Sequence, residues 1–256
     1  MAECKKLCSV VIPAYNCERT VRASVESALG QSYDSLEILI ANDASTDNTG
    51  FVLKDLALQD SRIKVFSLEQ NGGVANARNY LFSQASGEYI AFLDSDDIWE
   101  SEKLAKQIAI LEQGEGDFTY SSYSFIDKDS LAIGKPKMVP STCTLQEILK
   151  ENFILCSSVV MKAQLGKQFT MDGSYSHEDM VYWLTLFQAG RKAVGVADVL
   201  VRYRIYEQNR SGNKAKAAKD RWIVYRRFLK LNLCTASRYF ISYTLNGFRK
   251  YGALRH

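Results

Sequence analysis

The sequence predicts an α/β fold in which a mainly parallel sheet is flanked by helices and followed by a helical C-terminal extension. Over the first hundred residues, short apolar and β-branched runs alternate with stretches whose apolar residues recur at helical spacing. Such alternation is typical of a parallel sheet with helices on its faces. A chain of 256 residues with 46% hydrophobic composition can bury the core of one large domain with an appendage.

In the first half of the chain, turn and cap residues delimit the predicted elements. Pro13 ends the first strand, and Asn42-Asp43 follow the second. Ser45-Thr46-Asp47 offer side chains that favour the start of a helix. The predicted strands of this half are 8–12, 36–41, 63–66 and 89–93, and the predicted helices between them are 21–29, 51–56 and 74–83.

The second half is less regular. A loop rich in Asp, Lys, Gly and Pro is predicted over 127–141, and the polar stretch 207–213 is the clearest domain edge. A helix that begins at His177 is closed by Gly190. The other predicted elements are helices at 102–111 and 145–150 and strands at 118–126, 157–161 and 199–205.

Composition argues against several classes of protein. The formal net charge of +3 is too small to imply a nucleic-acid partner, although the chain after residue 213 is strongly basic. The six cysteines show no paired CxxC spacing, so a zinc site is not expected and the thiols are predicted to be reduced. No stretch resembles a signal peptide or approaches the length of a membrane span. We therefore expect a soluble, cytoplasmic protein.

One short apolar strand ends in three acidic residues, Asp94, Asp96 and Asp97. So much negative charge at a strand end is costly unless a cation or hydrogen-bond donors gather there. Ligands of open α/β sheets also bind outside the carboxyl ends of the strands. The pattern therefore favours an active-site edge, with Asp96 and Asp94 as ligands of Mn²⁺ or Mg²⁺. The alternative is an acidic turn that caps the helix starting near Ser101.

Polar residues that follow two other strands should meet these acids. Pro13 and Tyr15 follow the first strand and Asp43 the second, and parallel strands end at one edge of a sheet. This set suits a nucleotide diphosphate: Tyr15 would lie against the base, and Asp43 would accept a hydrogen bond from a ring N–H. Asp94 would lie near the ribose, while Asp96 would hold a cation that bridges the phosphates.

His177-Glu178-Asp179 forms a further acidic cluster at a predicted helix start. The functional interpretation makes Asp179 a general base that removes a proton from an incoming hydroxyl. Acids at this position are also favoured by the helix macrodipole, so that simple capping explains them as well. The residue pattern alone leaves both interpretations open.

These motifs together resemble the family 2 glycosyltransferases, which are inverting enzymes of the GT-A (Rossmann-like) fold, and especially bacterial enzymes of surface polysaccharide synthesis. The matching stretches occur in the family's order, at 9–16, 40–47, 71–79, 92–97 and 177–179. The resemblance implies that Pro13, Tyr15 and Asp43 frame the base. It also implies that Asp94-Ser95-Asp96 form the DxD site, that Arg78 lies in the donor region, and that Asp179 is the catalytic base.

The chain departs from the family's pattern in two places. Asn42-Asp43 replace the usual pair of acids after the second strand, which leaves one carboxylate for the base. Processive members carry a Gln-x-x-Arg-Trp motif and membrane spans, whereas Arg221-Trp222 are preceded by Ala218 in place of Gln. We therefore predict that a single sugar is added per encounter.

The tail carries aromatic residues at helical spacing with basic residues between them. We predict a GT-A catalytic domain over 1–210, with a nucleotide-binding half (1–97) and an acceptor half (98–210), and a basic amphipathic extension over 211–256. Residues 214–256 would rest on anionic lipid at the inner face of the plasma membrane, close to a lipid-linked acceptor. The alternative is that these helices pack on the catalytic domain or on a second subunit.

The predicted function is transfer of one sugar from a nucleotide-diphospho-sugar, with UDP favoured, to a hydroxyl of a lipid-linked glycan in O-antigen or capsule synthesis. Two alternatives remain from the sequence. A metal-dependent nucleotidyltransferase would also use a nucleotide-binding α/β sheet, but would release pyrophosphate. A catalytically inert module would bind a sugar nucleotide or a membrane without catalysing a reaction.

Overall fold

The computed structural model describes residues 5–206 and 214–252, which contain a nine-stranded mixed sheet. In spatial order the strands run β3-β2-β1-β4-β8-β6-β9-β5, and β7 pairs with β6 outside this path. The strands are β1 (Cys8–Ala14), β2 (Leu36–Asn42), β3 (Ile63–Ser67), β4 (Tyr89–Phe92), β5 (Ile98–Trp99), β6 (Phe118–Ile126), β7 (Ala132–Lys137), β8 (Val160–Lys162) and β9 (Ala193–Arg204).

Four parallel strands form the half of the sheet that positions the acidic residues. β1 lies between β2 and β4, and β3 continues beyond β2. The register pairs Ala14 with Asn42 and Val11 with Phe92, so the loops that follow β1, β2 and β4 leave the sheet at one edge. Every residue of these three strands is buried, as expected for short apolar strands covered on both faces.

The second half of the sheet is mixed. β8 runs antiparallel to β4 and β6, β9 is parallel to β6, and β5 is antiparallel to β9. The helices that accompany the sheet are α1 (Val21–Leu29), α2 (Thr49–Gln59), α3 (Val74–Gln84), α4 (Lys103–Glu112), α5 (Leu145–Lys150), α6 (Ala163–Gln168) and α7 (Glu178–Gln188). The predicted mixed, mainly parallel sheet flanked by helices is confirmed.

Some predicted elements of the second half were wrong in type or extent. The segment 127–141 is not all loop, because it contains β7, a largely exposed edge strand whose Gly134 and Pro136 resemble turn residues. The strand predicted at 157–161 begins later, at Val160, after a short 3-10 turn over Cys156–Ser158. β9 starts at Ala193 instead of residue 199, because β6 provides it with a long parallel partner.

The tail forms two helices, α8 (Lys214–Ile223) and α9 (Leu233–Gly252), with a π-helical turn over Val224–Phe228 between them. They pack on the rest of the protein. The buried Tyr225 hydroxyl donates to the Leu149 carbonyl, and the Tyr175 and Phe228 rings meet edge to face at 5.8 Å. This is the packing alternative considered from the sequence; the predicted polar break at 207–213 lies outside the described residues.

Within the described residues, none of the helices combines the length and the apolar character needed to cross a bilayer.

Candidate active site

The loops that follow β1, β2 and β4 line a cavity of about 470 Å³ at the predicted edge of the sheet. All residues predicted to contact the donor lie in its wall. They are Pro13, Tyr15, Asp43, Arg78, Asp94, Ser95 and Asp96. The structure therefore brings together residues up to 83 positions apart in the sequence, as expected from the common edge of parallel strands.

A second cavity of about 660 Å³ shares a wall with the first. Tyr15, Arg78, Asp94 and Asp96 line both cavities, and Asp179 lines only the second. The predicted base thus faces the same space as the paired carboxylates.

Asp43 is 3% exposed and fixes the glycine loop that precedes α3. The backbone N–H groups of Gly72 and Gly73 donate to its two carboxylate oxygens at 2.9 and 2.8 Å. Gly73 has a φ of 82°, a conformation that favours glycine. The loop therefore has a fixed shape in the donor cavity. Each Asp43 oxygen keeps a second lone pair that is available to a ligand.

Arg78 is buried between the two cavities and joins an acid from each side of the site. Its guanidinium donates to Asp94 Oδ1 at 2.5 Å and lies 3.5 Å from Glu178 Oε1. Glu178 is itself buried and lines both cavities. Arg78 was expected in the donor region from the sequence motifs, whereas no role for Glu178 was expected.

The carboxylate oxygens of Asp94 and Asp96 are suitable ligands for a divalent cation. Burial, and then the charge of Asp94, raise the pKa of Asp96 to about 6, and a bound cation would oppose this shift because it favours the charged form. Asp94 is already paired with Arg78. Among residues 5–206 and 214–252, no group of three or more His, Cys, Asp or Glu side chains is arranged to hold a metal ion. Mn²⁺ or Mg²⁺ would therefore draw its remaining ligands from phosphate and water.

Hydrogen bonds of Ser157, Asp97 and Arg204 support the turn that carries Asp94 and Asp96. Ser157 Oγ accepts from the Asp94 N–H at 3.0 Å and donates to the fully buried Asp97 carboxylate at 2.5 Å. The Arg204 N–H donates to Asp97 at 3.0 Å, and its Nε donates to the Asp96 carbonyl at 2.8 Å. Burial and the charges of Asp96 and Asp94 raise the pKa of Asp97 well above its usual range.

Asp179 lies in the first turn of α7, half-buried in the wall of the larger cavity. Its Oδ1 accepts from the Met180 N–H at 2.7 Å, while its position in the cavity wall leaves the carboxylate accessible to a substrate. His177, the residue before this helix, has its pKa lowered by burial and is therefore neutral near pH 7. The wall of the same cavity also contains Lys216, Ala217 and Asp220 from α8, residues for which the sequence indicated no role at the site.

A profile of Glycosyl transferase family 2 matches residues 9–180. The chain belongs to this family. The match spans the strand ends and Asp179, and it confirms the family resemblance of the sequence motifs. It leaves the nucleotidyltransferase alternative without support.

Curated relatives of this family 2 glycosyltransferase span nearly its whole length. A Bacillus subtilis (strain 168) protein assigned to teichuronic acid biosynthesis, TuaG, is 36% identical over 98% of this chain and 99% of its own. The Escherichia coli enzyme WfgD, a UDP-Glc:alpha-D-GlcNAc-diphosphoundecaprenol beta-1,3-glucosyltransferase, is 36% identical over 96% of this chain and 95% of its own.

Solved structures share the glycosyltransferase's fold at low sequence identity. The mannosyltransferase PcManGT from Pyrobaculum calidifontis, determined with GDP-Man and Mn²⁺, superposes with a TM-score of 0.72 at 16% identity, over 93% of this chain and 70% of its own. S. aureus TarS with UDP-GlcNAc gives a TM-score of 0.70 at 20% identity, over 94% and 72% of the two chains. The GT-A fold of this glycosyltransferase is thereby confirmed.

Proposed function

We propose that the protein transfers one sugar from a UDP-sugar to a hydroxyl of a lipid-linked glycan, with inversion, during surface polysaccharide synthesis. The observation that carries this proposal is the shared cavity wall, where Asp179 faces the same space as Asp94 and Asp96. A base and a diphosphate site that line one cavity are what a displacement at the sugar between them requires.

In the proposed reaction, Asp179 accepts the proton of the acceptor hydroxyl as that oxygen bonds to the anomeric carbon of the donor. The bond from this carbon to the nucleotide diphosphate breaks on the opposite face, which inverts the configuration. A divalent cation held by Asp96 and Asp94 would stabilise the negative charge of the departing diphosphate. Arg78 keeps Asp94 in place through its 2.5 Å ion pair.

The base of the donor would bind in the smaller cavity. Tyr15, which is half exposed, offers its ring to the base, while Pro13 and Ala14 provide the backbone floor. The oxygens of Asp43 hold the glycine loop and keep lone pairs for a ring N–H, such as that of uracil. The UDP-sugar in the name of WfgD and the UDP-GlcNAc bound to TarS support a uridine nucleotide.

The acceptor proposal rests on the relatives. WfgD is named for a GlcNAc-diphosphoundecaprenol acceptor, and TuaG for teichuronic acid biosynthesis. A lipid-linked acceptor would bring the enzyme to the cytoplasmic face of the plasma membrane. The exposed side of α9 supports such contact, because it presents Leu233, Ile241 and Leu245 near exposed arginines.

The test is a panel of nucleotide sugars with Mn²⁺ and a synthetic N-acetylglucosaminyl-diphospho-lipid. We expect release of UDP in equal amount to a one-sugar-larger product with inverted configuration. Release of pyrophosphate would contradict the proposal, and so would binding of a sugar nucleotide without any turnover, because it would indicate an inert binding module.

A further inference from the structure

Helix α8 contributes to the cavity that contains Asp179. Lys216, Ala217 and Asp220 line this 660 Å³ cavity, whereas none of them lines the 470 Å³ cavity where the nucleotide is proposed to bind. The helix therefore borders the space left for the acceptor.

α8 is fixed in this position by packing at its C-terminal end. Arg221 is buried, with its guanidinium carbon 4.6 Å from the centre of the Tyr243 ring. In the following turn, Tyr225 is fully buried and bonded to the Leu149 carbonyl. The Trp222 ring packs edge to face on Phe240 at 5.4 Å. Residues of α8 that line the cavity are thus held by a packed core.

The charges around this cavity indicate what α8 adds. Its wall contains five acids, Asp94, Asp96, Glu178, Asp179 and Asp220, and two basic side chains, Arg78 and Lys216. Arg78 is buried and engaged by Asp94 and Glu178. Lys216 is exposed and lines the larger cavity only. A phosphate group carries negative charge that a sugar hydroxyl lacks, and a lysine ammonium is a common partner for phosphate.

We propose that Lys216 binds a diphosphate group carried by the acceptor, and so orients the acceptor sugar toward Asp179. This inference rests on the proposed function, since it assumes a lipid-linked diphosphate acceptor. The donor also carries a diphosphate, and Asp94 and Asp96, which are proposed to hold its cation, line the larger cavity together with Lys216, so KM for the UDP-sugar has to distinguish the two diphosphates. Lys216 is thus proposed to determine specificity, and Asp179 remains the base.

The experiment compares two synthetic acceptors, an N-acetylglucosaminyl-diphospho-alkyl lipid and the same sugar on an alkyl chain without phosphate. For Lys216→Ala we expect KM for the diphosphate acceptor to rise about tenfold or more, the loss of roughly one charge-assisted contact. KM for the phosphate-free acceptor and for the UDP-sugar should stay unchanged. Lys216→Arg should recover most of the loss, because the positive charge is kept.

Lys219→Ala is the matched control, because Lys219 is exposed on the same helix and does not line the cavity. Its KM values should equal those of the wild type. Equal effects of Lys216→Ala on both acceptors, or no effect, would overturn the inference while the proposed function stands. A rise in KM for the UDP-sugar alone would place Lys216 on the donor diphosphate and also overturn it. A wild-type protein that transfers sugar to neither acceptor would refute the proposed function itself, and the inference with it.

Discussion

Asp179 is the residue on which the proposed proton transfer depends. Its replacement by Asn keeps the shape of the side chain but removes the basic oxygen. We expect Asp179→Asn to lower kcat by about 10²–10⁴-fold, the usual range for a general base, and to leave the affinity for UDP near that of the wild type. UDP release and calorimetric UDP binding measure the two effects.

Asp172→Asn serves as the control for this substitution. Asp172 is an exposed acid before α7, bonded to Ser174 and absent from both cavity walls. It should keep wild-type turnover. Near-normal kcat for Asp179→Asn would show that another group accepts the proton.

Lys103 is a fully buried lysine whose Nζ lies 4.1 Å from the centre of the Trp99 ring and has no hydrogen-bond partner among the residues that the structure describes. Burial lowers its pKa from 10.5 to about 7. The unfolded chain therefore binds more protons than the folded protein between these values. The free-energy cost of burying Lys103 is largest at or below pH 7, and it shrinks as the pH rises toward 10.

Lys103→Met should consequently raise the melting temperature at pH 7, by about 2–4 °C for each kcal/mol recovered, with a smaller gain at pH 9.5. Thermal unfolding at both pH values measures this difference. Lys106→Met is the control, because Lys106 lies on the same helix but is partly exposed and paired with Glu102 and Asp198. A gain for Lys103→Met that does not change with pH would contradict the role of its charge.

The short turn over Cys156–Ser158 supports the turn that carries Asp94 and Asp97, because the Ser157 hydroxyl is hydrogen-bonded to both residues. Ser157→Ala should remove the support of the Asp94 N–H and leave one Asp97 oxygen without its donor. We expect a loss of about 1–3 kcal/mol of stability and a raised KM for the donor in the presence of Mn²⁺. Ser158→Ala is the control, because Ser158 donates only to the Leu155 carbonyl in the same turn. Equal donor KM values for the two variants would limit Ser157 to a stabilising role.

Helix α9 combines packing against the protein with an exposed apolar face. Leu233, Ile241 and Leu245 are each more than half exposed, and Arg226 and Arg238 are exposed nearby. On a membrane these residues would bury apolar area and meet anionic headgroups. We predict that the wild type floats with vesicles of anionic lipid and less with neutral ones, and that the triple Leu233→Ser, Ile241→Ser, Leu245→Ser variant does not.

The vesicle experiment needs a measure of folding, because α9 also packs on the catalytic core. The affinity of the triple variant for UDP provides this measure, since none of the described residues that line the 470 Å³ cavity belongs to α9. Flotation of both proteins to the same extent would exclude this face as the membrane contact.

For the whole molecule, the sequence predicts a single sugar per encounter, because the Gln-x-x-Arg-Trp pattern is incomplete around Arg221-Trp222. In the structure Arg221 is buried against Tyr243, away from the cavity wall. Mass spectrometry of the product, with donor in large excess, should give one added sugar. A ladder of longer products from the purified protein would contradict the prediction.

The features that could be predicted from the sequence are those set by local pattern. The alternation of strands and helices, with acids at the strand ends, predicts the sheet edge at which Tyr15, Asp43 and Asp96 lie together. Ser157 and Arg204 could not be found this way, because they reach Asp97 from 60 and 107 residues away and resemble ordinary strand residues in the sequence. Lys216 was assigned to a membrane-facing tail, since only the packing of α8 brings it to the cavity.

Arg78 links Asp94 to Glu178, and these acids belong to the turn proposed to bind the metal ion and to the helix that carries the proposed base. Any displacement of Asp94 toward an arriving cation must alter the ion pair that reaches the start of α7. Binding of the donor and its cation beside Asp94 is therefore expected to alter the start of α7, where the acceptor is proposed to bind, before the reaction takes place. We expect the two substrates to bind in a compulsory order, with the sugar nucleotide first.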